Sequence, residues 1–77
     1  MMTQEETRVL RLLYQRGIVA ARDILSCCYP GWPRWGERVL SQLEWLGCVT
    51  IFYSTDGLPT MVEITQHGID ALQQRAF

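Results

Sequence analysis

Along the first fifteen residues the apolar positions recur at helical spacing. Val9, Leu10 and Leu13 gather on one side of a helix turning about 100° per residue, with Leu12 and Tyr14 at its flanks and Arg8, Arg11 and Gln15 opposite. Thr3 followed by Glu6 forms a capping box, in which hydroxyl and carboxylate satisfy free amides at the helix start. Gly17 stops the helix as a C-terminal cap. The β-branched pair Ile18-Val19 predicts a very short strand, and a second helix is expected over about 20–28 with Ile24, Leu25 and Cys28 inward. Tyr29-Pro30-Gly31-Trp32-Pro33 cannot continue that helix, yet Pro33 suits the first position of a new one.

The third helix is expected over 33–46, closed by Gly47, with Gly36, Val39, Leu40, Leu43 and Leu46 buried. Arg34, Arg38, Ser41 and Trp45 form the opposite stripe, and a tryptophan exposed beside arginines is costly surface without a partner. The text then alternates as strands do, Val49-Thr50-Ile51-Phe52-Tyr53 and Thr60-Met61-Val62-Glu63-Ile64, around the turn signal Asp56-Gly57. Pro59, which lacks an amide hydrogen, is expected at a sheet edge. Thr65 caps a last short helix with Ile69, Leu72 and Ala76 inward and Phe77 over its end. The predicted class is mainly α with a β-hairpin: three helices, a two-stranded hairpin and a short C-terminal helix.

Composition narrows the options. Seventy-seven residues, 48% hydrophobic, suit a single domain over 1–77 with one core, so small that a second copy is the expected support. No run approaches the roughly 18 apolar residues of a membrane span, and the acidic start is unlike a signal peptide, which points to the cytoplasm. Three cysteines, two of them adjacent, do not make a disulfide framework; Cys27, Cys28 and Cys48 read as reduced, small buried hydrophobes. With His67 they also lack the ligand spacing of a zinc site, so no metal or cofactor is expected. The phosphate loops, Ser-His-Asp sets and convergent carboxylates of enzymes are missing, which argues against catalysis and indicates no small-molecule substrate.

Net charge is −1 and the isoelectric point about 5.7, without the broad basic footprint of a nucleic-acid binder. The charge is uneven, however. Residues 1–38 hold six arginines against four acids, and residues 39–77 one arginine against four. Every basic residue is arginine, whose planar fork grips phosphate or guanine with two prongs.

Two stretches carry a resemblance. Arg38-Val39-Leu40-Ser41-Gln42-Leu43-Glu44-Trp45-Leu46-Gly47-Cys48-Val49 looks like the end of a recognition helix and the glycine that opens a wing. Ile64-Thr65-Gln66-His67-Gly68-Ile69-Asp70-Ala71-Leu72 is similar to the text that follows the wing. Nearly the whole chain thus resembles the winged helix-turn-helix domains of MarR- and PadR-type bacterial regulators. The resemblance implies a dimeric transcription regulator binding double-stranded DNA, with Arg34, Arg38, Ser41, Gln42 and Trp45 at the major groove and Ser54, Thr55 and Asp56 at the wing tip.

Several features depart from that pattern. The hairpin from Val49 to Ile64 carries no positive charge and has Asp56 at its tip, so it repels phosphate. Glu37 and Glu44 flank the arginine stripe, and Trp32 and Trp35 bring aromatic bulk to the start of helix three, where they can serve to close the small core. A second reading stays open: a protein-interaction module, an adaptor or small inhibitor, anchored by Trp32, Trp35 and Trp45 without DNA binding.

Overall fold

The computed structural model describes residues 3–28, 31 and 33–75. Trp32, Ala76 and Phe77, to which the sequence assigns roles, lie outside the described residues, as does the side chain of Cys28.

Helix α1 spans Gln4–Arg16 and begins with the predicted capping box. The Glu6 amide donates to Thr3 Oγ1 at 3.2 Å, and the Thr3 amide and hydroxyl donate to Glu6 Oε1 at 3.2 and 2.9 Å. This pairing draws the Glu6 carboxylate against the fold, leaving the residue only 6% exposed. Val9, Leu10 and Leu13 are fully buried, whereas Tyr14, on the flank of that face, is 56% exposed.

Strand β1 (Ile18–Ala20) leads directly into α2 (Ala21–Cys28), which contributes Ala21 and Ile24 to the core. Helix α3 (Pro33–Trp45) buries Gly36, Val39, Leu40 and Leu43. It ends one residue earlier than its periodicity suggests. The Cys48 amide donates back to the Leu43 carbonyl at 2.9 Å and the Gly47 amide to the Glu44 carbonyl at 3.0 Å, a Schellman closure that requires the φ of +79° found at Gly47. Leu46 therefore falls in the turn and is partly exposed instead of buried, while Cys48 takes the inward position beyond it.

Strands β2 (Val49–Tyr53) and β3 (Pro59–Ile64) form the hairpin, and the antiparallel sheet runs β1-β3-β2. Val62 is the centre of the register, opposite both Val19 and Ile51, and is fully buried. Pro59 is thus in the middle strand, not at an edge as expected. It is tolerated because β1 pairs only with Met61, Val62 and Glu63, so no β1 partner faces the imide nitrogen at the strand's first residue. Val9, Leu10 and Leu13, Val19 and Ile24, Leu40 and Leu43, and Val49, Ile51 and Val62 form one core, with Leu12, Leu25, Ile64, Ala71 and Leu72 packed around it.

Helix α4 (Gln66–Arg75) starts at Thr65, whose hydroxyl accepts from the Gly68 amide at 3.1 Å and donates to the Gly47 carbonyl at 2.6 Å. Ile69 and Leu72 are half-buried, so α4 is a cover laid on the core. Gly68 on this helix is buried against Cys48 and Ile64. Among the described residues no helix is long and apolar enough to cross a membrane.

Candidate nucleic-acid interface

Helix α3 is held from beneath by Val39, Leu40 and Leu43, and this anchoring decides what its other side presents. Arg34, Arg38, Ser41, Gln42 and Trp45 are all exposed. Arg34, Glu37, Arg38, Ser41, Gln42 and Trp45 line one open depression along the helix, so the predicted stripe is a continuous surface. Trp45 is 81% exposed at its C-terminal end.

Trp35 does not close the core. It is 49% exposed, and the Arg38 guanidinium carbon lies 5.9 Å from its ring centroid, within cation–π range. The small residue Gly36 takes the inward position at that turn of α3 and leaves Trp35 at the boundary with solvent. Arg38 is thereby steadied at the edge of the helix face by its neighbour one turn earlier.

The wing tip is organised around its own side chains. Ser54 Oγ donates to Asp56 Oδ1, the Leu58 amide donates to the same oxygen at 3.2 Å, and the Ser54 amide bonds the Leu58 carbonyl at 2.9 Å. The Ser54 hydroxyl, then the Leu58 amide, hold the Asp56 carboxyl below the usual carboxylate range. Ser54 and Asp56 thus knit the turn, whereas Thr55 carries no such bond and is exposed. Tyr53, which the sequence reading passed over, ties wing to helix: its hydroxyl donates to Glu44 Oε1 and Oε2 at 3.0 and 3.2 Å. Burial, and then the bond to Glu44, push its phenol up. A pair nine residues apart on different elements leaves no signal in periodicity.

The cysteines divide. Cys48 is buried as expected, and burial, with the Glu6 carboxylate as a second cause, pushes its thiol up. Cys27 is exposed on the outer side of α2, contrary to expectation, because Ile24 and Leu25 occupy the face turned to the core. Brief alkylation of the native protein at neutral pH should therefore label Cys27 and spare Cys48, as read by peptide mass mapping; equal labelling would contradict the packing around Cys48. Among the described residues no group of three or more His, Cys, Asp or Glu side chains is placed to hold a metal ion.

No protein-family model matches the sequence, nor does any curated protein. Solved structures do match the fold. BpsR from Bordetella bronchiseptica, whose DNA binding is regulated by 6-hydroxynicotinic acid, superposes with a TM-score of 0.82 at 15% identity, over 97% of this chain and 53% of that one. YusO from Bacillus subtilis gives 0.80 at 16% identity over 95% and 52%. A mutant of MarR from E. coli, complexed with operator DNA, gives 0.78 at 16% identity over 95% and 52%. The chain spans about half the length of these proteins, and at these identities the likeness establishes its architecture as the winged helix seen in MarR.

Proposed function

We propose that this winged helix is a non-enzymatic DNA-binding element of a cytoplasmic transcription regulator, with α3 as the helix that enters the major groove. The observation that carries the reading is the α3 surface. Five exposed polar or aromatic side chains lie on one helix face, with Arg34 and Arg38 one turn apart. A helix of 13 residues is about 20 Å long and slender enough for a major groove about 12 Å wide. Arg38, braced on Trp35, is the candidate for a two-pronged contact with guanine; Arg34 serves phosphate or base, Ser41 and Gln42 reach base edges, and Trp45 packs on the sugar wall.

The wing has a smaller part. Asp56 is committed to its own turn and no basic residue stands on the hairpin, so Ser54 and Thr55 offer at most neutral hydrogen bonds while the Asp56 carboxylate repels phosphate. Affinity then rests on few arginines, and two copies on paired half-sites supply what one copy lacks.

Fluorescence anisotropy with duplex DNA at about 50 and 200 mM salt tests the reading, because phosphate contacts weaken steeply across that range. The expected result is salt-dependent binding that Arg38→Ala weakens about tenfold, with a salt slope lower by about one. Absence of binding, or an unchanged slope in Arg38→Ala, would overturn this face in favour of a protein interface anchored on Trp45.

A further inference from the structure

We propose that Glu37 sets part of the base sequence that α3 selects, by accepting a hydrogen bond from the amino group of a cytosine, a proposal that rests on the reading of α3 as the groove-entering helix. Glu37 is exposed and lines the α3 depression together with Arg34, Arg38 and Ser41. It lies in the second turn of a helix that begins at Pro33, and the N-terminal part of a recognition helix is the part that meets base edges.

The two acids of α3 differ in what holds them. Both Glu44 oxygens accept from the Tyr53 hydroxyl, at 3.0 and 3.2 Å, so that carboxylate is engaged by the wing. Glu37 has neither a hydrogen bond nor an ion pair among the described residues, although Arg34 and Arg38 stand near it in the chain. Arg38 is drawn the other way. Its guanidinium carbon lies 5.9 Å from the Trp35 ring centroid, and Trp35 is about 200° around the helix from Glu37. The Glu37 carboxylate therefore keeps its acceptor capacity, and keeps it on the surface that faces the duplex.

The base follows from what a carboxylate can accept. Phosphates repel it, so Glu37 adds nothing through the DNA backbone and can gain only at a base edge. In the major groove guanine presents two acceptors, N7 and O6, and thymine an acceptor and a methyl group, so both leave the carboxylate unsatisfied and repelled. Adenine sets an acceptor, N7, beside its amino donor. Cytosine presents its N4 amino group with no acceptor alongside, which makes it the base that Glu37 fits. Discrimination then works in both senses, by a bond made to cytosine and by repulsion of guanine and thymine.

The test selects bound duplexes from a pool with a randomised stretch, using the full chain in parallel with Glu37→Gln and Glu37→Ala, and sequences what each retains. Position 37 is exposed, so both variants should fold as the parent does, as checked by circular dichroism. The parent should enrich sites with cytosine at one fixed position. Glu37→Gln should change that position to adenine, because a carboxamide pairs with adenine N6 and N7, whereas Glu37→Ala should lose the preference there and keep the others. On the selected duplex, replacing that C·G pair by T·A should weaken the parent about tenfold and leave Glu37→Ala nearly unaffected, as read by fluorescence anisotropy. A parent that enriches no sequence would overturn the DNA-binding reading and the role of Glu37 with it. Sites that are enriched but identical for all three proteins, or a responding position that holds a base other than cytosine in the parent, would overturn the role of Glu37 alone.

Discussion

Replacing Gly68 with alanine is expected to cost the fold about 2–3 kcal/mol, although alanine in a helix is ordinarily the more stable residue by up to about 1 kcal/mol. The sign reverses because of what surrounds it. A Cβ at position 68 would land against the carbonyl oxygen of Cys48, with that carbonyl's carbon at 3.1 Å and Ile64 Cγ1 at 2.9 Å. The carbonyl has little freedom to retreat. Its oxygen accepts from the Thr65 amide at 3.0 Å, and the amide of the same residue closes the end of α3 on Leu43 at 2.9 Å. Relief has to come from lifting α4, which surrenders the packing of Ile69, Ala71 and Leu72. Folds of this size keep only about 3–5 kcal/mol in hand, so the variant should sit near the edge of unfolding. Thermal denaturation followed by circular dichroism should show a midpoint lower by roughly 10–25 °C. A midpoint within about 2 °C of the parent would mean that α4 does not approach the Cys48 turn as described.

Leu43→Ala is the second large effect, about 3 kcal/mol within the 2–5 kcal/mol span of buried leucine truncations. Leu43 is fully buried under α3, and the Schellman closure that begins at its carbonyl holds the backbone in place, so the site cannot easily collapse around the missing atoms. The measurement is urea unfolding, with the midpoint displaced and the slope unchanged. A cost under about 1 kcal/mol would show that the core beneath α3 is loosely filled. At a temperature where the variant is still folded, its DNA affinity should fall less than that of Arg38→Ala, because the outward side chains of α3 are untouched. Stability and recognition are thereby separated on opposite sides of one helix.

The winged helix was legible because its main signals are local. The Thr3-Glu6 capping box, the helical spacing of Val9, Leu10 and Leu13, the glycine after α3, the Asp56-Gly57 turn and the Thr65 cap each involve residues within a few positions of one another. Each therefore appears in the sequence as the chemistry that will form. The outward stripe of Arg34, Arg38, Ser41 and Trp45 follows from the same periodicity, and the structure places all four on the exposed face. Gln42 joins them there, having entered the reading through resemblance.

Other features depended on distances between elements, which periodicity does not encode. Helical spacing names a face, but not how far the opposing surface extends along it. Trp35 and Tyr14 stay exposed among the described residues, and Leu46 lies past the residue at which the backbone leaves the helix. Ile24 and Leu25 fill the inner side of α2 and leave Cys27 outside, a competition for one space that composition cannot settle. The place of Pro59 in the middle strand follows from β1, far earlier in the chain, pairing with β3. The same holds for the Tyr53 bond to Glu44, the buried, unpartnered oxygen of Glu6, and the close contact that makes residue 68 a glycine. Thus the order and kind of elements, their caps and their polar faces come from interactions among near neighbours in the chain. The depth of burial, the strand order and the shape of the surfaces come from packing between segments far apart in it.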